Sequence, residues 1–182
     1  MRCRMNLLSS IDSILVPIAF ESPLAATPES ALAVDFEAGE HVTITKSAAR
    51  ALQVAENLVG DGVLHLVHAT PGLGGMSRYG GMQGAWLSVS AAAEVDKAAH
   101  EYASRVLAGL AKGLCPEAKV EVHAGPGRPS DVILNVASRV QPDLIVLAAS
   151  DHGRVRRAFG STADRLVHEA RGMVLVVPPD PG

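Results

Sequence analysis

Five short runs of apolar residues are spread along the chain, and each is bounded by polar residues, glycine or proline. The runs are rich in valine, isoleucine and leucine, and several lack polar alternation, which is typical of strands covered on both faces. This pattern predicts strands over residues 14–18, 63–67, 120–123, 144–148 and 174–177.

Between these runs, apolar residues recur every three or four positions, which predicts amphipathic helices. The four helices are predicted over residues 48–59, 95–110, 133–140 and 163–170. We expect Gly113 to end the second helix, Pro129 to open the third and Pro142 to follow its end. Ser161 and Asp164 have the spacing of a capping box, so Ser161 is expected to be the N-cap of the fourth helix.

The alternation of strands and helices predicts a parallel sheet with right-handed crossover connections. We therefore expect one doubly wound α/β domain over residues 1–182, with five parallel strands and helices on both faces. Two segments, about 22–45 and 71–90, exceed ordinary connection lengths and are predicted to be long loops at the carboxyl ends of strands. Each is either surface decoration or a functional loop, and Met76 and Trp86 favour a lid or a subunit contact for the second.

The composition restricts the class of partner and the compartment. Apolar residues make up 48% of the chain and aromatic residues 3%, so the core is expected to consist of small aliphatic side chains. A net charge of −3 argues against a general nucleic-acid-binding protein. Cys3 and Cys115 lack metal or redox spacing and are expected to be free thiols in the cytoplasm. No segment predicts a membrane span, and polar residues at positions 9–13 favour a strand over a secretory signal.

The segment from Leu144 to Val177 contains the clearest indication of a binding site. There a buried strand leads through a polar loop into a helix that opens with Gly160, Ser161 and Thr162. A helix N-terminus presents unpaired backbone N–H groups and the positive end of a dipole, so it favours anions, phosphates above all. Because open α/β sheets bind ligands at the carboxyl ends of their strands, a phosphate-bearing ligand is predicted here.

Five motifs along the chain occur in a recognisable order: Ser13–Ile18, Gly127–Leu134, Asp143–Gly153, Gly160-Ser161 and Val174–Pro178. Together they resemble the universal stress protein family, over the whole chain apart from the N-terminal tail and the two long segments. The resemblance implies a five-stranded parallel sheet of the adenine nucleotide alpha hydrolase type, with strand order 3-2-1-4-5. It also implies a homodimer formed through the last strand, Val174–Val177.

Many members of that family bind ATP or AMP through a loop written Gly-x-x-Gly-x9-Gly-Ser/Thr, whereas others lack the loop and bind no nucleotide. This chain departs from the pattern at three places. Ser150 replaces the first glycine, the spacer after Gly153 has only six residues, and Ala19 replaces an aspartate that commonly assists at the adenosine. The positions that match are His152, Gly153, Gly160, Ser161 and Thr162.

The resemblance implies three groups of nucleotide-binding residues. The adenine pocket is expected to be framed by Pro17, Ala19 and Val67. The phosphates are expected to contact Ser150, His152, Gly153, Gly160, Ser161 and Thr162. Positive charge would come from Arg154, Arg156 or Arg157, which alternatively form a solvated turn or pair with a second protomer. Glu21 or Asp35 could replace the missing aspartate, and Mg²⁺ is expected only alongside ATP.

The sequence predicts neither a protein metal site nor a catalytic centre. His65 and His68 point to opposite faces of one strand, and His123, like the remaining histidines, has no evident ligand partner. Ser150 and His152 are near neighbours in sequence, whereas a catalytic triad converges from separate elements. Enzymatic activity is therefore expected to be absent, or at most a slow ATPase.

Two functions remain open from the sequence. The first is a homodimeric stress-response regulatory protein that binds ATP or AMP at the carboxyl edge of the sheet without rapid turnover. The second is a dimer that binds no nucleotide and acts through an unidentified protein partner, which explains all three departures without compensation. Neither function involves nucleic acid or a membrane.

Overall fold

The computed structural model describes residues 11–21, 31–36, 40–72, 89–149 and 160–178. The strands are β1 Ser13–Pro17, β2 Phe20–Glu21, β3 Ala31–Phe36, β4 Glu40–Thr45, β5 Val63–Thr70, β6 Lys119–Pro126, β7 Leu144–Ala148 and β8 Met173–Val177. The helices are α1 Lys46–Val59, α2 Val89–Leu114, α3 Pro129–Val140 and α4 Ser161–Glu169. No helix within these ranges is long and apolar enough to cross a membrane. Most of the predicted long segment 71–90 lies outside them.

Five parallel strands form the central sheet, in the order β6-β5-β1-β7-β8. They are the five strands that the apolar runs predict, and the α/β fold class is confirmed. Counted among themselves they stand in the order 3-2-1-4-5, with β1 in the centre. Their numbers along the whole chain differ from that order because three further strands lie between β1 and β5.

Helices cover both faces of this sheet because alternate strand residues point to opposite sides. From β1, Ile14 and Val16 join an apolar cluster with α1 and α2. Leu15, between them, joins a second cluster with α3 and α4. All three side chains are completely buried. Both layers of helices are therefore needed to exclude water from the central strand.

A second, antiparallel sheet has the order β2-β4-β3, and its strands β3 and β4 lie within the segment predicted as a long loop over residues 22–45. That prediction is wrong for residues 31–36 and 40–45, and the other residues of the segment lie outside the described ranges. β4 has the alternation of a strand covered on one face: Val42 and Ile44 are buried, and Thr43 and Thr45 are half-buried. Val34 of β3 joins Val42 and Ile44 in the cluster with α1 and α2, which explains why the segment folds instead of remaining a loop.

Helix boundaries follow the predicted proline positions but not all of the predicted caps. α3 begins at Pro129 and ends before Pro142, with Gln141 in the left-handed conformation. Gly113 does not end α2, which continues to Leu114 because the following residues remain packed in the core. Ser161 is the first residue of α4, and its N-cap is Gly160, so the predicted capping box is wrong by one position.

The start of β1 is held by hydrogen bonds and a close backbone contact at the amino edge of the sheet. The Asp143 carboxylate accepts hydrogen bonds from the backbone N–H groups of Asp12 and Ser13, both at 3.0 Å. The Asp12 carbonyl accepts a hydrogen bond from the Val63 N–H at 2.8 Å. A Cβ atom on Gly62 would lie 2.3 Å from that same carbonyl oxygen, so the close approach of β1 and β5 requires glycine here.

We therefore expect Gly62→Ala to lower the free energy of unfolding by about 1–3 kcal/mol, as overpacking does at rigid backbone positions. The matched control is Gly113→Ala within α2, where a Cβ would meet only Val34 Cγ1 at 3.7 Å. This control is expected to stabilise the protein by about 0.5–1 kcal/mol, because alanine favours a helix over glycine. Urea unfolding of the two variants measures both changes, and equal stability of Gly62→Ala and the wild type would contradict the steric argument.

Candidate functional site

At the carboxyl edge of the central sheet, the regular pairing of β1 with β7 ends early, and the position between these two strand ends is here called the crevice. Regular pairing of these strands comprises two residue pairs and ends at Leu15 and Ile145. By contrast, β1 pairs with β5 through Pro17, and β7 pairs with β8 through Ala148. The chain also reverses its direction of winding between β1 and β7, and doubly wound sheets bind ligands at this switch point. The crevice is therefore the position at which a ligand is expected to approach the ends of both strands.

The N-terminus of α4 lies at the same edge, since α4 follows β7. Gly160, the N-cap, has extended backbone angles and no side-chain hydrogen bond caps the helix. The Gly160 carbonyl accepts a hydrogen bond from the Asp164 N–H at 2.9 Å, which begins the helical ladder. Ser161 is exposed and Thr162 is half-buried. The first N–H groups of α4 can thus accept an anion, although the nearby Asp164 carboxylate opposes one.

The predicted adenine-framing residues follow β1 and lie in β5. Pro17 is half-buried and Ala19 is exposed, so a methyl group faces solvent where an aspartate is common in the family. Val67 is buried in the cluster with α3 and α4, and its carbonyl accepts a hydrogen bond from the Ile18 N–H at 2.9 Å. The structure brings the three residues to one edge of the sheet. Their contact with adenine stays a prediction.

A stacked pair of rings beside this edge was not anticipated from the sequence. The His68 and Phe20 rings are parallel to within 19°, with centroids 3.8 Å apart. His68 Nδ1 donates a hydrogen bond to the Ile18 carbonyl at 2.8 Å. Burial lowers the pKa of His68 below its ordinary value of 6.5, although the bond to Ile18 acts in the opposite direction. The contact between the two rings holds the chain segment that follows β1. In the sequence, only the presence of a histidine and a phenylalanine points to this contact.

Arg165 links the two helices that begin at this edge. Its guanidinium donates hydrogen bonds to the Asp131 carboxylate and to Ser130 Oγ in the first turn of α3. It also donates to the Glu169 carboxylate at 2.7 Å. The bonds to Glu169 and then Asp131 raise the pKa of Arg165. These contacts set the position of α4, and therefore of its N-terminus, relative to α3.

Five of the predicted site residues belong to the loop between β7 and α4. They are Ser150, His152, Gly153, Arg154 and Arg157, and they lie outside the described residues, as does Arg156. The side chains of Glu21 and Asp35, the two suggested replacements for the missing aspartate, are likewise not described. Their roles stay predictions.

Away from the crevice, the pairing of β5 with β6 brings together His65, Glu121 and His123. His65 Nδ1 lies 3.1 Å from His123 Nε2 and 3.4 Å from Glu121 Oε2. His123 therefore has two neighbours with possible ligand atoms, which the sequence did not indicate. Burial lowers the pKa of both histidines; Glu121 opposes the shift at each, whereas Arg139 adds to it at His123. The sequence could not show this cluster because it depends on strand register.

Comparisons with known proteins agree with this architecture. The sequence model described as the universal stress protein family matches residues 42–178. Hypothetical protein MJ0577 is 16% identical with a TM-score of 0.61, over 94% of this chain and 99% of its own. Universal stress protein UspA from Lactobacillus plantarum is 19% identical with a TM-score of 0.55, over 93% and 99%. At these identities the structural likenesses show the fold alone. No curated protein matches the chain.

We expect the neutral state of His68 to make stability depend on pH. Because its pKa is lower in the folded than in the unfolded chain, its contribution is fully present above about pH 6.5. The contribution is lost as the pH falls from there through the lower folded pKa. His68→Asn, which retains a donor for the Ile18 carbonyl, should therefore lose less Tm than the wild type between about pH 7.5 and 5.5.

The matched control is His168→Asn on α4. His168 Nδ1 also donates to a backbone carbonyl, that of Asp164 at 2.8 Å, but its side chain is exposed. Melting curves of this control are expected to follow the wild type at both pH values. An equal loss of Tm in His68→Asn and the wild type would show that His68 does not contribute to the pH dependence.

Proposed function

The chain belongs to the universal stress protein family, and we propose that it is a stress-response regulatory protein that binds an adenine nucleotide, ATP or AMP, without rapid turnover. The nucleotide lies at the carboxyl edge of the central sheet, and Mg²⁺ accompanies it only when it is ATP. The protein acts in the cytoplasm as a homodimer. In keeping with a reducing compartment, Cys115 is a buried free thiol whose pKa burial raises to about 12.

The observation that carries the proposal is the crevice between β1 and β7 next to the uncapped N-terminus of α4. The base is proposed to lie at the carboxyl ends of these strands, whose regular pairing ends at Leu15 and Ile145. Phosphates then meet the N–H groups that follow Gly160 and the hydroxyl groups of Ser161 and Thr162. The arginines of the preceding loop add positive charge by the same proposal.

Two features of the site weaken this binding. Ala19 cannot supply the charge-assisted hydrogen bond of an aspartate, which is worth about 1.5–3 kcal/mol, or roughly tenfold to a hundredfold in affinity. The six-residue spacer encloses less of a triphosphate than a longer one. We therefore propose that affinity depends mainly on the base and on the phosphates nearest the α4 N-terminus.

Slow or absent turnover is part of the proposal. Hydrolysis requires a base that orients an attacking water. Of the described residues assigned to the nucleotide, Pro17, Ala19, Ser161 and Thr162 carry no such group, and the Asp164 carboxylate in the first turn of α4 is assigned no part in hydrolysis. The protein then acts through the difference between its free and nucleotide-bound surfaces, not through a product.

A second candidate function is a dimer that binds no nucleotide and acts through a protein partner. The stacked pair of Phe20 and His68 favours it, because the chain already supplies a ring against the end of β1. The exposed methyl group of Ala19 agrees with this alternative as well. The two functions differ in whether purified protein contains a nucleotide.

We propose that the dimer forms through β8. This strand is at the edge of the central sheet, so one row of its backbone groups is open to a second strand. Met173 and Leu175 are 58% and 37% exposed, whereas Val174 and Val176 pack inward against the cluster with α3 and α4. An apolar edge strand of this kind is suited to pairing with its copy.

Gly160→Asp tests the nucleotide site. An aspartate N-cap accepts hydrogen bonds from the first N–H groups of α4, so the helix is expected to form at least as well as in the wild type. Its charge repels phosphate, and we expect affinity for ATP and AMP to fall by about tenfold or more, measured by calorimetry. Gly160→Asn is the matched control, because it caps the same groups without charge and should lose less affinity.

The state of freshly purified protein decides between the two functions. After denaturation and removal of the precipitate, the supernatant is analysed by mass for adenine nucleotides. Stoichiometric ATP or AMP supports the proposal. An empty supernatant, combined with no rise in Tm in excess Mg-ATP, favours the protein-interaction alternative.

Leu175→Glu tests the dimer. A carboxylate in an apolar interface lacks a partner, so we expect the dimer dissociation constant to rise by roughly thirtyfold or more. The wild type should sediment at twice the 18.9 kDa chain mass and the variant at the chain mass. Val95→Glu on α2 is the control, since Val95 is also an exposed apolar residue, at 49%, and α2 packs against β5 and β6 at the other side of the sheet. Dissociation by both variants, or by neither, would contradict an interface through β8.

A further inference from the structure

We propose that His65, Glu121 and His123 form a binding site for a divalent transition metal ion, with Zn²⁺ as the best fit. The site is distinct from the crevice and does not depend on nucleotide binding. His65 is directly opposite Glu121 in the parallel pairing of β5 with β6, and Val67 is opposite His123. Because side chains alternate along strands, all three residues point to the face that α3 covers.

The spacing of the three ligand atoms agrees with tetrahedral coordination. Zn²⁺ binds imidazole nitrogen and carboxylate oxygen at about 2.0–2.2 Å, so two ligands of a tetrahedron lie about 3.3 Å apart. His65 Nδ1 is 3.1 Å from His123 Nε2 and 3.4 Å from Glu121 Oε2. All three atoms lie within 4.8 Å of one another, so small side-chain rotations suffice to place an ion between them.

The chemistry of the donors selects the class of ion. Two imidazoles and one carboxylate suit Zn²⁺ and its neighbours Co²⁺, Ni²⁺ and Cu²⁺, whereas Mg²⁺ and Ca²⁺ prefer oxygen ligands throughout. The two facing ring nitrogens share one hydrogen, because a hydrogen bond between neutral imidazoles has one donor and one acceptor. Metal binding replaces that bond, and the hydrogen moves to the other nitrogen of its ring.

The three side chains differ in how deeply they are buried, and this difference allows an ion to enter the cluster and to be held there. The His65 side chain is 9% exposed and that of Glu121 is 57% exposed, so the trio extends from the protein interior to solvent. The buried imidazole is fixed by its surroundings, and the exposed carboxylate is free to move onto an arriving ion. A fourth position is left for water, as in zinc sites with three protein ligands.

Two positively charged side chains near the cluster oppose the binding of a metal cation. Arg139 of α3 acts electrostatically on His123, and Lys119 is two residues before Glu121 on the same side of β6. Glu121 offsets part of this charge. The opposing charges give the proposal a specific consequence: removal of the positive charge at Arg139 should strengthen metal binding, although it removes no ligand.

The experiment uses the untagged full-length protein after treatment with a chelator and dialysis. Calorimetric titration is expected to show one Zn²⁺ per chain, and Zn²⁺ in excess is expected to raise the Tm. Mg²⁺ should change neither. Co²⁺, as a spectroscopic substitute for Zn²⁺, should give the visible absorption of a tetrahedral site.

Variants assign the ligands. Glu121→Gln and His123→Gln replace an exposed and a half-buried side chain, and each should weaken Zn²⁺ binding by at least about tenfold and abolish the Co²⁺ spectrum. Arg139→Gln should tighten binding by roughly three- to tenfold. His168→Gln, a histidine on exposed α4 surface, is the control and should bind Zn²⁺ as the wild type does.

Two results would overturn the assignment. Equal Zn²⁺ affinity in His123→Gln and the wild type would place the ion on other groups. No Zn²⁺-dependent rise in Tm in the wild type would mean that the trio is only a hydrogen-bonded contact between β5 and β6. Circular dichroism of each variant separates loss of binding from loss of fold.

Discussion

The rest of the structure depends on the complete burial of β1 on both faces. Ile14, Leu15 and Val16 have no exposed surface, and each is worth about 1.5–3 kcal/mol when removed from water. A strand buried in this way requires neighbours on both sides and helices above and below. These neighbours are β5 and β7, and the change in winding direction between them creates the crevice. The position of the candidate nucleotide site thus follows from the arrangement of strands that buries β1.

The central sheet could be predicted because most of its strands are nearly continuous apolar runs with helical patterns between them. The second sheet could not be predicted as readily. Only two of the six residues of β4 are apolar, and the alternation of Val42 and Ile44 with threonine is short and adjoins a polar segment. Such a strand is recognised only when a core is available to receive its apolar side, and that core is built by residues of the adjacent α1 and of α2, which begins only at Val89.

The sequence predicted the position of the candidate site in the fold more accurately than the contacts between its residues. The position of Gly160 at the start of α4 follows from local pattern, yet the cap itself was misplaced by one residue because glycine and serine both serve as N-caps. The contact of His68 with Phe20 and the cluster around His65 depend on which residues face each other across strands. A shift of one residue in register would separate His65 from Glu121 entirely, and apolar periodicity does not determine register between β5 and β6.

The two proposed sites make different demands on the sheet. At the crevice, an anion would bind backbone N–H groups that remain free because helix α4 begins there, so binding adds little to the pairing of strands. The histidine cluster instead joins side chains from β5 and β6, and β6 is an edge strand with β5 as its one partner in the central sheet. An ion held by both strands would therefore stabilise their pairing, since metal binding to a folded site adds to the free energy of folding. Under this proposal, metal supply sets the stability of one edge of the sheet, and the nucleotide lies at the carboxyl ends of the strands in its centre.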